Sequence, residues 1–479
     1  MMISKSSIKS AAIWSSIEAI SSVGLSFISI IYLARILHPS DYGYIATAQI
    51  MSSLIGMICS FGLTEAVIQR KELDDKVKET AFTGSLIFIL IALLLSSIVL
   101  FCLYLFTTEK IVIYIFVFET MGVVFTILSL LPTALLLREL KMSAFTKRTL
   151  ISRILFFVVT IPLALNGFGV WSVVFGNLTQ SFTAMLLVFF AVRHDIPRRL
   201  TLDFKLFKEL FLFGFYVMLE NILWSVLSRV FSLLLAAFHG TYALGLYNMA
   251  SRLTDSILGV LNTVISRMAL PLFSHVQDDN KKLHSVFHKA TQIFNLVSMP
   301  AFAGMAFTSD KWVPIILGDN WSEAIPVIKI ISVMYAIMYS RIFVGTAMKA
   351  VGESKRFMIL SAISAFLSVL TVLLTKNYTL IETVFSWAVV RVVVTIPIGI
   401  YLMKLILNMK AMPQLRPVVV PFLSTIIMSA VLIFFNMSNI ILFSNQVISL
   451  SMIVLIGGIT YISSVFILRF LFSLFKGSV

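Results

Sequence analysis

The chain contains few groups that could carry covalent or metal chemistry. Only two of its 479 residues are cysteine, Cys59 and Cys102, and both lie in apolar segments. Such cysteines imply neither a disulfide framework nor a zinc knuckle. The sequence also lacks a phosphate-binding glycine-rich loop, a zinc-protease motif and a nucleophile elbow. We therefore expect no catalytic residue, no metal and no cofactor.

Charge is scarce as well. Charged residues make up 12% of the chain, whereas 59% of the residues are hydrophobic. This composition excludes a soluble protein of this size, which would not carry many apolar runs of about 20 residues. The net charge of +15 comes from basic residues between the apolar runs. That pattern is typical of membrane helices and does not indicate nucleic acid as a partner.

Apolar runs and breakers predict an all-α polytopic membrane protein with about 14 transmembrane helices. Basic residues concentrate in every second connection, which favours an even number of spans and two cytoplasmic termini in a bacterial inner membrane. The N-terminal run resembles a signal sequence, but it is too long and contains Glu18, so we expect a retained first helix.

The chain is expected to divide at its most polar central break. We predict an N-terminal six-helix bundle (1–192), a cytoplasmic linker with an amphipathic segment (193–208), a second six-helix bundle (209–404) and two additional C-terminal helices (405–479). The first span of the second bundle is expected to turn at His239-Gly240-Thr241 into the next one.

Matching residues recur at a nearly constant separation along the chain. Glu220 follows Glu18 by 220 − 18 = 202 residues, and Gly245 follows Gly43 by 245 − 43 = 202 residues. Asp74-Asp75 resembles Asp278-Asp279 at a separation of 278 − 74 = 204 residues. These matches indicate two related halves, a common construction in transporters.

Charges placed inside the spans point to a polar cavity, because a charge facing lipid is costly. The first half carries only acids at such positions, namely Glu18, Glu65 and Glu119. The second half carries the acids Glu220 and Asp255 and all the basic residues, which are Arg229, Arg252, Arg267, Lys329, Arg341 and Arg391. A cationic wall suits a ligand bearing phosphate or carboxylate.

Depth within the spans selects the candidate site residues. The candidates for binding a pyrophosphate in the cavity are Arg252, Arg391, Arg341, Asn248 and Asn221. Those for coupling or gating are Glu18, Glu220 and Asp255, and those for stacking on sugar rings are Trp14 and Trp224. Four other charges, Arg267, Lys329, Arg229 and Glu65, lie nearer an interface, where snorkelling makes a structural role the better interpretation.

Each group also has a structural alternative. Arg252 and Asp255 are three residues apart on one helix and can neutralise each other. Glu18 and Glu220 can make hydrogen bonds between packed helices instead of relaying protons. Trp14 and Trp224 can serve packing alone.

Several stretches resemble the polysaccharide exporter family. They are Leu37-His38-Pro39-Ser40-Asp41-Tyr42-Gly43, Phe61-Gly62-Leu63, Gly245-Leu246-Tyr247-Asn248, Gln277-Asp278-Asp279 and Leu317-Gly318-Asp319 followed by Trp321. They are similar to the O-antigen, capsule and colanic-acid repeat-unit flippases of the multidrug/oligosaccharidyl-lipid/polysaccharide exporter superfamily.

The resemblance implies two six-helix bundles forming a V, plus two C-terminal helices. It also implies a non-enzymatic, monomeric flippase that moves a polyprenyl (undecaprenyl)-pyrophosphate-linked oligosaccharide through the lipid bilayer, alongside polysaccharide polymerase and chain-length machinery. A cation antiporter of the same superfamily is one alternative, although it would suit an acid-lined cavity. A membrane-embedded polysaccharide polymerase or ligase is another, although it would need a longer extracytoplasmic loop.

Overall fold

The structure is a computed structural model and describes residues 5–476 except 71, 108, 140, 198, 276–278, 352 and 439–444. Within the helices, the side chains of some stretches, including 219–228 and 262–272, also lie outside the description. Among the described residues there are helices and no strand, which confirms the all-α prediction.

Helices follow one another throughout the chain. The first eight are α1 (Lys5–Ala34), α2 (Pro39–Ser60), α3 (Leu63–Gln69), α4 (Asp75–Phe106), α5 (Lys110–Leu128), α6 (Leu130–Arg138), α7 (Met142–Leu165) and α8 (Val170–Ala191). The others are α9 (Phe204–His275), α10 (Asn280–Phe307), α11 (Ser309–Ile316), α12 (Ile325–Met338), α13 (Phe343–Ala350), α14 (Ser354–Leu374), α15 (Leu380–Leu407), α16 (Ala411–Ser438) and α17 (Gln446–Lys476).

The long helix α9 is broken at Gly240. Gly240 has φ 85° and ψ 166°, a backbone conformation that favours glycine because it has no Cβ. The break confirms the predicted corner and divides α9 into two limbs, α9a (204–239) and α9b (241–275).

Eleven helical segments in the described part of the chain are long and apolar enough to cross a membrane. Large apolar side chains such as Phe106 and Leu374 are 83% and 71% exposed on them, which suits contact with lipid. The count of 14 spans is therefore not confirmed. The predicted ninth span corresponds to α10, which is not among these eleven segments. Helix α10 contains the buried polar residues Thr291, Asn295 and Ser298.

The chain forms two compact units. Unit 1 comprises residues 1–29 and 39–245, and unit 2 comprises 30–38 and 246–479. The structure thus groups residues 209–245 with unit 1, whereas the sequence assigned them to the second bundle. The division into six-helix bundles, and their arrangement as a V, stays a prediction.

The linker of unit 1 packs differently from the expected surface helix. The Asp203 carboxylate accepts a hydrogen bond from the Lys205 backbone N–H, and α9 begins directly after it at Phe204. The Phe207 and Phe211 rings then pack against Phe88 and Phe61. Because α9 runs on from residue 204 without interruption, this segment is the first part of α9a.

The repeat is visible in the packing of unit 1. A Cβ placed on Gly43 would overlap the carbonyl of Thr241, and one placed on Gly245 would overlap the carbonyl of Pro39. These partners are also separated by 241 − 39 = 202 residues. Each glycine therefore lets one helix approach the start of its counterpart.

Unit 2 is built around α10, which begins at a cap formed by Asp279. One apolar cluster contains Phe273, Phe287 and Phe343, and a second joins Ala303 of α10 to Leu432 of α16 and Tyr461 of α17. The last residues of α1 also belong here, since Trp321 Nε1 donates to the Ala34 carbonyl at 2.7 Å. The two C-terminal helices thus pack inside unit 2.

Candidate functional site

Three helical segments of unit 2 bring charged and aromatic side chains together. Helix α9b supplies Tyr247 and Asp255, α12 and the turn that follows it supply Tyr335 and Tyr339, and α15 supplies Trp387 and Arg391. We call these six residues the Arg391 cluster. Its members are linked by ring contacts, by a hydrogen bond and by electrostatic interactions with Arg391.

Arg391 lies against an aromatic support. Its guanidinium carbon is 5.1 Å from the Trp387 ring centroid, and Trp387 is buried against Tyr247 with ring centroids 5.9 Å apart. Trp387 and Arg391 share one face of α15 because they are four residues apart. The Nε atom of Arg391 is buried without a hydrogen-bond partner among the described residues. A stacked guanidinium with an unused N–H is suited to receive an anion.

Asp255 supplies the negative charge of the cluster. Its Oδ1 accepts a hydrogen bond of 2.7 Å from the Tyr335 hydroxyl, and Arg391 lies within electrostatic reach. The side chain is exposed at the surface of the protein. Because a carboxylate facing hydrocarbon is costly, this face of α9b is suited to water or a polar ligand.

Arg252 lies one turn before Asp255 on α9b. Its Nε donates to Asn248 Oδ1 at 2.8 Å, so the two predicted candidates are in direct contact. Asp255 accepts a hydrogen bond from Tyr335 on another helix, which weakens the interpretation of Arg252 and Asp255 as a self-contained pair.

Arg341 is placed in different surroundings. It lies in the short turn Tyr339–Arg341 and is 7% exposed. Its Nη2 donates to Gln414 Oε1, and its Nη1 donates to the Ile396 carbonyl at 3.3 Å. Gln414 is fully buried and donates in turn to the Ile400 and Met409 carbonyls. These contacts favour a structural role over ligand binding for Arg341.

The candidates on α1 contact α7 within unit 1. Glu18 lies within electrostatic reach of Arg153, whose Nη1 donates to the Ser22 carbonyl at 2.6 Å and to Ser26 Oγ at 2.8 Å. The carbonyl of Trp14 accepts a hydrogen bond from Thr146 at 3.1 Å. These bonds tie α1 to α7, as expected for the helix-packing alternative.

Some candidates cannot be placed. The side chains of Glu220, Asn221, Trp224 and Arg267 lie outside the described residues. Of the charges assigned to an interface, Lys329 pairs with Asp310 at 2.7 Å, and Arg229 donates to Ser53. Both contacts agree with structural roles.

Sequence reasoning was incomplete about both halves. Helix α7 is a candidate membrane span and contains Arg148 and Arg153, so basic residues in candidate spans are not confined to the second half. The aromatic members Tyr247, Tyr335 and Tyr339 were also missed. The four-residue spacing of Tyr335 and Tyr339 in one predicted span was the available signal. No sequence pattern indicated that Gln414 contacts Arg341, because the two residues are 414 − 341 = 73 positions apart.

The eleven long apolar helical segments of the described residues define a multi-pass membrane protein. A family model described as polysaccharide biosynthesis protein matches residues 32–326. The chain belongs to this family, which confirms the resemblance found in the sequence.

Relatives with names from polysaccharide synthesis support the assignment. The lipopolysaccharide biosynthesis protein WzxC of Escherichia coli (strain K12) is 24% identical over 68% of this chain and 66% of its own. The teichuronic acid biosynthesis protein TuaB of Bacillus subtilis (strain 168) is 20% identical over 88% of each chain. The chain thus spans about two thirds of the length of WzxC and most of TuaB.

Solved transporters share the fold. The lipid II flippase MurJ in an inward closed conformation matches with a TM-score of 0.74 and 15% identity, over 96% of this chain and 100% of its own. An inward-facing multidrug resistance MATE family transporter of the MOP superfamily matches with a TM-score of 0.56 and 14% identity, over 82% and 98%. At these identities, the likeness concerns the fold.

Proposed function

We propose that this chain is a flippase that translocates a polyprenyl-pyrophosphate-linked oligosaccharide across the bacterial cytoplasmic membrane for O-antigen, capsule or exopolysaccharide assembly, with both termini in the cytoplasm. The observation that carries the proposal is Arg391 stacked on Trp387 in the interior of a membrane protein. The family membership and the names of the relatives support the substrate class.

The cluster offers complementary groups for both polar parts of such a substrate. The guanidinium of Arg391 suits the oxygens of a pyrophosphate. Arg252, which is not a member of the cluster but lies one turn before Asp255 on α9b, offers a second guanidinium. Aromatic rings such as Trp387 and Tyr247 give flat apolar faces on which sugar rings can pack. The reaction moves the substrate without breaking a covalent bond, so it requires no catalytic group.

Asp255 fits this proposal as an internal counter-ion. While the site is empty, its carboxylate partly neutralises the nearby guanidinium of Arg391. An incoming pyrophosphate supplies more negative charge and displaces that interaction. Binding and release of the substrate would thus exchange one counter-ion for another and avoid leaving a bare cation in the membrane.

The test is binding of undecaprenyl pyrophosphate to the purified full-length protein in nanodiscs. Arg391→Ala should weaken binding by roughly tenfold or more, because charge-assisted hydrogen bonds contribute about 1.5–3 kcal/mol. Arg391→Lys should retain part of the affinity, because it keeps the charge but not the planar fork. The variant Arg416→Ala serves as control, since Arg416 is exposed on α16.

Equal affinity of Arg391→Ala and the parent would contradict the proposal. A parent that binds and transports a lipophilic cation but not the lipid carrier would favour the antiporter alternative.

A further inference from the structure

A second intramembrane site lies in unit 1, away from the Arg391 cluster. Glu119 is the tenth of the 19 residues of α5, and every residue after Lys110 in this helix except Glu119 is uncharged. A charge at the midpoint of a span costs several kcal/mol or needs compensation, so such residues commonly have a function.

Two amides from two other helices converge on this carboxylate. Gln49 of α2 donates from Nε2 to Glu119 Oε1 at 3.3 Å, and Asn177 of α8 donates from Nδ2 to the same oxygen at 3.1 Å. Helices α2 and α8 both pack against α5, and neither contains a lysine or an arginine. The two amides that these helices place against Glu119 are neutral.

The three side chains lie at a similar depth. Gln49 is the eleventh residue of α2, Glu119 the tenth of α5 and Asn177 the eighth of α8. The predicted topology starts all three helices on the same membrane face. At 1.5 Å per residue they lie roughly 12–17 Å inside, near the middle of a hydrocarbon core of about 30 Å.

This set of groups matches the chemistry of a small monovalent cation. A carboxylate and two amides provide three oxygen ligands when the amides turn their carbonyls inward, which suits a hard cation such as sodium. The same carboxylate can instead take a proton and remain hydrogen-bonded to the amides. A glutamine at position 119 would satisfy the packing of the three helices without the charge.

We propose that Glu119, Gln49 and Asn177 form an intramembrane site for a small monovalent cation, either sodium or a proton. The site is independent of the substrate proposed above, because it lies in unit 1 and needs no lipid carrier. Occupancy neutralises the carboxylate and stabilises the packing of α2, α5 and α8.

Other titratable groups on the helices packed against α5 lie towards the helix ends. On α2 they are Asp41, Tyr42, Tyr44 and Cys59, on α4 they are Asp75, Lys76, Lys78, Glu79, Cys102 and Tyr104, and on α6 Arg138; α8 has none. On α5 itself they are Lys110 and Tyr114. A response that depends on Glu119 can thus be separated from theirs by substitution.

The experiment measures the thermal unfolding midpoint of the purified full-length protein, without lipid carrier. One series replaces N-methylglucamine with sodium at constant pH and ionic strength, and a second lowers the pH without sodium. A bound ligand raises the midpoint because it stabilises the folded state. We expect the parent to respond in one series, which identifies the ion, and Glu119→Gln to lose that response.

The control is Glu109→Gln, which removes an exposed carboxylate next to the start of the same helix and should keep the response of the parent. Asn177→Ala retains Glu119 and should move the response to higher sodium concentration or lower pH by about fivefold, the effect of one lost hydrogen bond. If Glu119→Gln does not fold, the response of Asn177→Ala decides whether the cation site exists. A parent without either response, an undiminished response in Glu119→Gln, or an unshifted one in Asn177→Ala would overturn the site. None of these outcomes bears on whether undecaprenyl pyrophosphate binds at Arg391.

Discussion

Arg341 is a charge held in the interior of unit 2 by neutral groups. Its guanidinium donates to Gln414 and to a backbone carbonyl, and Gln414 extends the network to two further carbonyls. This arrangement connects the turn after α12 to α15 and α16. Arg391, in contrast, lies on a tryptophan ring with an N–H unused. The two arginines are therefore expected to respond differently to substitution.

We predict that Arg341→Met lowers the stability of the protein and that Arg391→Ala does not. Loss of the Arg341 guanidinium leaves the buried Gln414 oxygen without its donor, which costs about 1–3 kcal/mol. Thermal unfolding in detergent should show a lower midpoint for Arg341→Met than for Arg391→Ala, with Arg416→Ala as the exposed control.

The double variant Arg341→Met with Gln414→Leu should recover part of the lost stability, because the buried Gln414 oxygen that lacks its donor is then removed as well. If Arg341→Met instead unfolds as the parent does and loses binding of undecaprenyl pyrophosphate, Arg341 belongs to the binding site.

The sequence predicted which residues are unusual better than it predicted their surroundings. A charge within an apolar run identifies Arg341 and Arg391 equally, because hydropathy does not register the neighbouring helices. The difference between them comes from Gln414, which is distant in sequence, and from Trp387, which is one turn away. Only the second kind of contact follows from helical periodicity.

At the scale of helices, the close approaches of Gly43 to Thr241 and of Gly245 to Pro39 fix how residues 39–43 pack against residues 241–245 within unit 1. A side chain at either position meets backbone, which cannot turn away as a flexible side chain does. These two glycines are therefore packing residues, whereas Gly240 has its conformational role at the break in α9.

We predict that Gly43→Ala and Gly245→Ala each destabilise the protein by about 1–3 kcal/mol, the usual cost of overpacking. Gly24→Ala is the matched control, because a Cβ there meets nothing within 4 Å. It should be neutral or gain up to about 1 kcal/mol from helix propensity. The measurement is the thermal unfolding midpoint of each variant. Equal midpoints for all three variants would show that the helices can shift apart at no cost.

The helices themselves were largely predictable, and their ends had local signals. Asp74 accepts a hydrogen bond from the Val77 backbone and caps α4, as Asp279 caps α10. These caps lie within the Asp-Asp pairs that sequence analysis matched between the halves. The packing of the linker against Phe61 and Phe88 was not predictable, because an amphipathic face does not specify whether lipid or protein covers it.

For the whole molecule, the orientation in the membrane remains a prediction that labelling can test. In a Cys102→Ala background, a single cysteine at Lys282 should react with an impermeant thiol reagent only from the cytoplasm. One at Asn377 should react only from outside. Both positions are exposed, and the remaining native Cys59 is buried. Labelling at Asn377 only from the cytoplasm would contradict the predicted fourteen-span topology.

Counting spans from hydropathy is least secure where a helix buries polar side chains against its neighbours. Helix α10 contacts both apolar clusters of unit 2 and keeps Asn295 fully buried, with its amide donating to the Thr291 and Ser340 carbonyls. These buried polar residues lower the mean hydropathy of α10, although Ile293 and Val297 on the same helix are 67% and 54% exposed. The family assignment did not depend on that count, because the matching motifs lie mostly in connections and helix starts.

The reciprocal contacts of Gly43 with Thr241 and of Gly245 with Pro39 have the geometry of an isologous interface within a single chain. In such an interface the same patch is used twice, so one glycine in a single ancestral copy would have created both contacts at once. Two identical copies of a half-length protein could thus have associated through this patch before they were fused. After such a fusion each glycine is a separate position, and a substitution at either one would disturb only one of the two contacts.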